Sequence, residues 1–395
     1  MTNMKKNYKL TVYSCFIGYI VLAIVNNFVP LLFVALQNEY GISLGKITLL
    51  VTVNFGIQLL SDLAGAKFID KIGYRCSILI AHATAALGLV LLTLLPRFID
   101  PFAGIMISVV IYAVGGGIIE VLISPIMEGC PNDSKERAMS LLHSFYCWGY
   151  VGVIALSTLF FFVFGVENWR WLALIWAAVP VVNGIFFIKA PINHLIAEGE
   201  QGMGIRQLLR SRAFLLLIVI ALCAGSVGEA IGQWMSTFAE QGLGISKTVG
   251  DLAGPTVFAA LMGISRAVYG KYGDKIDLEK YMTACGILCV ASYLLASLAP
   301  SPVISLVGCA LCGLFVGIMW PGTFSKASAT LPMGGTAMFA LLAFSGDLGA
   351  TVGPTLVGMV SDAAGNDLRL GLLAATAFPL ILTVCLLVDR KRKKE

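Results

Sequence analysis

The chain has 395 residues, of which 58% are hydrophobic and only 12% are charged, with a formal net charge of +5. Soluble globular proteins carry about 25% charged residues, so this composition excludes a soluble protein. The charges gather in short runs that separate apolar stretches of roughly 20 residues, the length that a helix needs to cross a bilayer.

Twelve such stretches are predicted along the chain, numbered here as spans 1 to 12. They cover residues 11–36, 47–69, 76–97, 102–128, 138–164, 170–189, 213–239, 249–271, 280–299, 302–325, 336–361 and 368–388. We therefore predict an all-α integral membrane protein with twelve transmembrane helices. An even number of spans places both chain ends on the same side of the membrane.

The lysines and arginines predict which side that is. If both ends face the cytoplasm, the inner segments hold 22 of the 27 basic residues, and the outer loops hold Lys46, Arg97, Arg170, Lys247 and Arg369. Cytoplasmic loops carry such an excess. The pattern predicts a multi-pass protein of the cytoplasmic (inner) membrane with both termini inside, and it explains the net charge without a nucleic-acid partner.

The ten cysteines are scattered, mostly within apolar stretches, and lack the paired spacing of a metal site. We interpret them as small packing residues in a reduced setting. No metal or cofactor is predicted. The connecting loops contain no clear nucleophile–base pair or phosphate-binding glycine loop, so we do not expect an enzyme.

The longest polar connection, residues 190–212, divides the chain into two sets of six spans. This predicts an N-terminal bundle at 1–189, a cytoplasmic linker, and a C-terminal bundle at 213–395 that ends in a basic tail. A repeat supports the division, because residues 70–75 and 270–275 form similar loops 200 residues apart. The same offset of 200 residues pairs Gly149 with Gly349. Two six-helix halves related by an axis along the membrane normal are typical of major facilitator transporters, which bind substrate between the halves near the midplane.

The loop from Ala66 to Arg75 resembles the signature loop of the major facilitator superfamily between helices two and three, with Ala66 in place of the opening glycine. Gly73 permits a tight turn, and Asp70 could meet the positive N-terminal end of a neighbouring helix, which the resemblance assigns to span 11. Alternatively, Lys71 and Arg75 are only positive-inside anchors. The latch predicted at this end of the protein comprises Asp62, Asp70, Lys71, Gly73, Arg75, Arg266, Lys271 and Gly273.

The sequence also resembles the fucose permease family, the fucose–galactose–glucose proton symporters. The similar motifs are Asn26-Asn27 in span 1, the glycine run 115–117 before Glu120, the segment 320–325, and the end of span 11 at 358–366. In that family an aspartate follows the Asn-Asn pair and is thought to work with the span 4 glutamate in proton coupling. Here Pro30 occupies that position, so the family's two-carboxylate arrangement does not carry over.

Ionisable residues inside a membrane span are costly and indicate function. Glu120 in span 4 is the first candidate for proton coupling, against a structural, hydrogen-bonded glutamate. Glu229 in span 7 lies 200 residues after Val29, next to Pro30, and could replace the missing carboxylate. Asp347 in span 11 is either a substrate or proton ligand or the partner of a buried cation such as Lys326.

A sugar site combines aromatic faces with amide and carboxylate groups. The candidates for substrate binding are Asn26, Asn27, Asn54, Gln58, Trp148, Gln233, Trp234 and Trp320. Gln233 lies four residues after Glu229, so the two share one helical face. His143, at the start of span 5, is interpreted as a structural histidine.

We therefore expect proton-coupled uptake, by alternating access, of a small polar solute, with a monosaccharide favoured. The expected partners are the solute, protons and the lipid bilayer, with the protein acting as a monomer. The alternatives are a proton-driven antiporter that exports drugs, although residues 149–152 lack the proline that such exporters usually have in span 5, and a transporter-like receptor.

Overall fold

The computed structural model describes residues 8–131, 135–193, 203–331 and 333–392. Within these ranges every regular element is helical, and twelve segments are long and apolar enough to cross a membrane. Their ends agree with the predicted spans to within about five residues, the usual error for element ends. The prediction of an all-α protein with twelve membrane spans is confirmed.

The α-helices of the spans, in chain order, are Lys9–Asn27 with Phe33–Tyr40, Leu44–Ile72, Tyr74–Leu94, Pro101–Glu128, Lys135–Phe164, Trp169–Lys189, Arg212–Thr237, Lys247–Asp251 with Val257–Tyr272, Leu278–Leu298, Pro302–Val316 with Met319–Thr330, Gly335–Ala363, and Leu368–Ala375 with Ala377–Arg392. A short helix, Ile205–Arg210, precedes span 7. Residues 194–202 of the predicted linker lie outside the described part of the chain.

Several spans contain breaks. Span 1 passes through a 3₁₀ turn at Val29–Leu32, where Pro30 has no amide hydrogen for the helix. Spans 7 and 8 contain π-helical turns at Phe238–Gly242 and Leu252–Thr256, and span 10 is interrupted between Val316 and Met319. Irregular backbone within a membrane is tolerated where it is buried in protein or lines a cavity. All four residues of Val29–Leu32 are buried.

Spans 1–6, the first half, and spans 7–12, the second half, repeat the same packing at two glycines. A Cβ on Gly149 of span 5 would lie 3.0 Å from the Cα of Ile20 in span 1. A Cβ on Gly349 of span 11 would overlap the carbonyl oxygen of Leu222 in span 7 and lie 2.9 Å from the amide nitrogen of Ser226. The sequence repeat is thus matched by equivalent close helix contacts in both halves.

We call the face where span 1 begins and span 12 ends the terminal face. The halves meet along spans 2 and 11 and along spans 5 and 8. Towards the opposite face, the hydroxyls of Thr52 and Thr355 are 2.5 Å apart, and the Thr158 hydroxyl donates to Asp251 at 3.5 Å. The side chains of Gln37 and Gln241 also hydrogen-bond at 3.0 Å. The halves are therefore in contact on the opposite-face side.

Candidate functional site

The glycine run in span 4 brings three helices close to Glu120. A Cβ at position 115 would lie 2.5 Å from the carbonyl oxygen of Ala81 in span 3, and one at position 116 would lie 2.9 Å from Val25 in span 1. At position 117 it would lie 2.7 Å from the Cβ of Ser61 in span 2. The missing side chains let span 4 pack tightly on one side while Glu120, one turn further on, projects into a cavity.

This cavity lies between the two halves, and the empty space within it, including the part open to solvent, is about 800 Å³. The first half contributes Tyr19, Leu22, Asn26, Phe55, Glu120, His143 and Tyr146 to its wall. The second half contributes Ala224, Gly225, Gly228, Glu229, Phe258, Met262, Arg266, Val316, Trp320, Gly346, Asp347 and Ala350. The wall is therefore built by both halves.

Three carboxyl groups that are far apart in the sequence meet in this cavity. Glu120 comes from span 4, Glu229 from span 7 and Asp347 from span 11. Asp62 of span 2 is 3% exposed and faces Asp347. Burial away from water disfavours the charged form of any carboxyl group, so such a cluster is suited to binding and releasing protons.

Buried amides connect the two halves beside the carboxyl groups. The Gln233 side-chain amide donates to Glu229 at 2.8 Å and to the backbone oxygen of Asn26 at 3.2 Å. The Asn26 side-chain oxygen accepts from Gln58 at 2.8 Å and from Asn54 at 3.5 Å. Of these four amides, Asn26 lines the cavity and the other three support it from behind.

Asn27, the other half of the Asn-Asn pair, points elsewhere. Its side-chain amide donates to the Ala23 backbone oxygen at 2.9 Å and to the Tyr146 hydroxyl at 3.5 Å. Asn27 is 3% exposed and is absent from the cavity wall. It therefore holds span 1 against span 5.

The three tryptophans proposed for a sugar site have different surroundings. Trp320 lines the cavity, and a Cβ on Gly346 would overlap its ring, so the glycine makes room for it. Trp234 is fully buried, and its indole nitrogen donates to the Pro354 backbone oxygen at 2.8 Å. Trp148 is 44% exposed at the surface of the molecule. Of the three, Trp320 is the one whose side chain lines the cavity.

Arg266 joins three spans at the terminal-face side of the cavity. Its guanidinium donates to the backbone oxygen of Gly317 in span 10 at 3.1 Å and to that of His143 in span 5 at 3.2 Å. Both Arg266 and His143 line the cavity. The side chain therefore bridges the two halves, and its role in a gate stays a prediction.

The structure describes only part of the signature loop, residues 66–75. The side chains of Asp70 and Lys71 lie outside the described residues, so their contact with span 11 stays a prediction. Gly73 ends span 2 with a φ of +87°, a conformation that glycine adopts readily. Arg75 donates to the backbone oxygens of Phe187 and Ala190 at 2.7 Å, which ties span 3 to the end of span 6 within the first half.

The repeated loop in the second half has a different geometry. Gly273 has a φ of −55° and begins a 3₁₀ turn, so it lacks the left-handed backbone of Gly73. The Lys271 amine lies 5.2 Å from the centre of the Tyr272 ring. The sequence similarity of the two loops does not extend to their backbone conformation.

One alternative from the sequence is wrong. Lys326 was a candidate partner for Asp347, but its amine forms ion pairs with Asp389 of span 12 and with Glu279 of span 9, the latter at 3.5 Å. The buried cation is thus neutralised within the second half. Asp347 instead faces another acid, Asp62.

Most of the cavity wall was not predicted from the sequence, and four of the residues that were missed or treated as structural could have been found. Tyr19 and Leu22 lie seven and four residues before Asn26, on one face of span 1, and His143 precedes Tyr146 by three residues in span 5. Helical periodicity could have found them, because residues three, four and seven apart share a face. Among the described residues, no group of three or more His, Cys, Asp or Glu side chains is placed to hold a metal ion.

Comparisons with known proteins agree with this architecture. The chain matches the model of the Major Facilitator Superfamily over residues 15–354 and 256–395. It is 24% identical to the membrane protein MosC of Rhizobium meliloti over 371 residues, which cover 92% of this chain and 86% of MosC.

Solved structures share the fold at low sequence identity. The outward conformation of the Major Facilitator Superfamily transporter FucP is similar with a TM-score of 0.68 and 17% identity, covering 97% of this chain and 99% of FucP. A variant of the E. coli fucose:proton symporter FucP matches over the same shares of both chains, with a TM-score of 0.69 and 17% identity. A bacterial homologue of the human lysosomal transporter Spinster, inward-facing and occupied, reaches 0.76 at 14% identity, covering 96% of both chains. The family match, the twelve spans and the cavity between two halves together show that this chain belongs to the Major Facilitator Superfamily, a family of multi-pass membrane transporters rather than enzymes.

Proposed function

We propose that this protein is a secondary transporter that couples the uptake of a small polar solute, most favourably a monosaccharide, to protons. The observation that carries the proposal is the cavity between the halves, where Glu120, Glu229 and Asp347 meet beside the Trp320 ring. The sugar and the protons would be the small-molecule partners, and the protein would act as a monomer in the lipid bilayer.

The wall of the cavity supplies the groups that a sugar requires. The Trp320 ring offers an apolar face for the C–H face of a pyranose, and Tyr19 and Tyr146 offer hydroxyls at the wall. Asn26 and the carboxyl groups can bind sugar hydroxyls. We assign substrate binding to these residues, with Gln58 and Gln233 orienting Asn26 and Glu229 from behind.

Proton coupling would use the three cavity carboxyl groups. Glu229 stands on the span that is related by the repeat to span 1, where the fucose permease family has its aspartate and this chain has Pro30. The FucP structure that matches this fold is described as that of a fucose:proton symporter. We infer that Glu229 replaces the missing span 1 acid and works with Glu120.

Alternating access would move the two halves, residues 1–189 and 213–395, about the cavity. The contacts at Thr52–Thr355 and Thr158–Asp251 would hold the opposite face closed and would break when it opens. Because the basic residues are concentrated at the terminal face, we place that face in the cytoplasm and the protein in the inner membrane.

A second candidate is a proton-driven antiporter for amphipathic compounds. The observation that favours it is the mixed wall of the cavity, where Phe55, Phe258 and Met262 lie beside acidic groups. Apolar walls with a buried acid suit a cationic amphipathic molecule as well as a sugar. The direction of proton movement separates the two mechanisms.

The test is transport by the purified protein in liposomes with an imposed pH gradient. A symporter accumulates a radiolabelled sugar from a panel when the outside is acidic, and protons enter the liposomes together with the sugar. If instead an acidic interior drives accumulation of a fluorescent cation and no sugar moves, the protein is an antiporter and the symport proposal is wrong. Liposomes without protein provide the baseline.

A further inference from the structure

Two acidic side chains from different halves lie together at the edge of the cavity. Asp62 of span 2 is 3% exposed and Asp347 of span 11 is 5% exposed, and their carboxyl groups face each other across these two packed spans. Within the described part of the chain, neither oxygen of Asp62 nor Oδ2 of Asp347 has a hydrogen-bond partner. A negative charge on Asp62 would therefore be buried without a hydrogen-bond donor to offset it.

A hydrogen bond between these two acids can exist only with a bound proton. An ionised carboxylate has acceptors but no donor, so a hydrogen bond between two carboxyl groups requires a proton on one of them. Without it, two negative charges would face each other in a buried place, which is strongly unfavourable. The approach of the two acids is therefore sensitive to proton loss in a way that an ordinary salt bridge is not.

The position of the pair links it to movement of the halves. Spans 2 and 11 run side by side, and the neutral Thr52–Thr355 contact lies about three helical turns nearer the opposite face. The carboxyl pair lies on the terminal-face side of that contact. A force that separates the two acids would open the seam between spans 2 and 11 towards the terminal face.

We propose that Asp62 and Asp347 form one proton-binding site shared by the two halves, and that loss of its proton separates spans 2 and 11 at the terminal face. The proposal deepens the proposed function, because it rests on the idea that protons drive this transporter. It gives the proton a mechanical role: bound, it holds the seam closed, and released, it lets the solute leave on the terminal side.

Other ionisable groups face this pair and must be separated from it experimentally. Glu120 of span 4 faces both acids, and Glu229 of span 7 faces Asp347. Arg266 of span 8 faces Glu229. Their titration could also move the halves, so each test variant needs a counterpart at one of these positions.

The experiment measures a distance across the seam while the pH is varied. Spin labels are attached at Ile72→Cys, at the end of span 2, and at Met333→Cys, just before span 11, where both native residues are exposed. The background is Cys76→Ser and Cys385→Ser, which removes the two described cysteines that are not buried. The purified, solute-free protein in lipid nanodiscs is titrated from about pH 5 to about pH 9.

We expect the labels to move apart as the pH rises in the parent protein. In Asp62→Asn and in Asp347→Asn, the amide can donate to the remaining carboxylate at every pH, so the distance should stay short throughout. Two variants are used so that the test still stands when one of them folds poorly. Glu120→Gln is measured beside them to identify any response that comes from that acid. The control is Asp277→Asn, which changes an exposed acid at the start of span 9 and should keep the pH response.

The outcomes distinguish the two proposals. A parent distance that does not change with pH overturns the shared site, as does an unchanged response in both Asn variants or a response that only Glu120→Gln abolishes. Sugar accumulation in liposomes is measured separately. If no sugar moves but the distance responds as expected, the shared site stands and the proposed symport fails.

Discussion

Replacing Glu120 by Gln tests the proton-coupling mechanism most directly. The exchange keeps the size of the side chain and removes its ability to bind and release a proton. Among the described residues Glu120 makes no hydrogen bond with protein, and it faces the cavity. The substitution therefore breaks no described contact, and we expect it to change stability by less than about 1 kcal/mol.

The expected effect on accumulation is much larger. One pH unit across the membrane supplies about 1.4 kcal/mol per proton, which is a tenfold concentration ratio of solute for one coupled proton. With a gradient of about two units the parent should approach 100-fold accumulation, whereas Glu120→Gln should only equalise the concentrations. Exchange of labelled for unlabelled solute needs no net proton movement, so it should persist.

The assay is uptake into liposomes with and without the gradient, beside counterflow exchange in the same preparation. The matched control is Glu167→Gln, the same chemical change at an exposed residue of the turn Val166–Asn168, which should accumulate like the parent. Full gradient-driven accumulation by Glu120→Gln would refute its role and leave the proton to Glu229 or Asp347. Loss of both accumulation and exchange would indicate a binding role instead.

Three further substitutions test the site and the packing. Glu229→Gln should lose accumulation while keeping its hydrogen bond from Gln233, and accumulation with an unchanged pH profile would remove Glu229 from the mechanism. Trp320→Ala should weaken sugar affinity roughly tenfold, or about 1.4 kcal/mol, while Trp148→Ala should not; equal affinities in a binding titration would contradict this. Gly349→Ala should destabilise the protein by about 1–3 kcal/mol, because the added methyl group overlaps Leu222. The loss should appear as a lower melting temperature in detergent. Gly152 has open space around it, so Gly152→Ala should melt at or above the parent temperature.

The spans could be predicted because the bilayer imposes a length and an apolar composition that the sequence displays directly. The interruptions within the spans could not. The break in span 1 contains a proline, Pro30, but the π-helical turn at Phe238–Gly242 contains none. Such turns depend on tertiary contacts as well as on local sequence, and a single sequence does not contain those contacts.

The candidate site was predictable as a set of residues but not as an arrangement. The membrane carboxyl groups were found because charge inside a span is conspicuous, and Glu120, Glu229 and Asp347 do meet in one cavity. Tryptophans give no such signal: Trp148, Trp234 and Trp320 all lie in predicted spans, yet one is exposed, one is buried and one faces the cavity. Which face of a helix looks inward depends on how the helices are rotated in the bundle.

The two equivalent glycines have a mechanical consequence. A Cβ on Gly349 would lie 1.9 Å from the backbone oxygen of Leu222, and one on Gly149 would lie 3.0 Å from the Cα of Ile20. The backbones of each helix pair are therefore close at these glycines, most of all at Gly349, and sliding of one helix along the other is hindered there. Across the midline the joints are side chains, such as the hydroxyls of Thr52 and Thr355, which swivel about single bonds and can re-form with other neighbours. The two helices of each pair would therefore move together as a rigid unit. Relative motion would occur at the interface between the two halves.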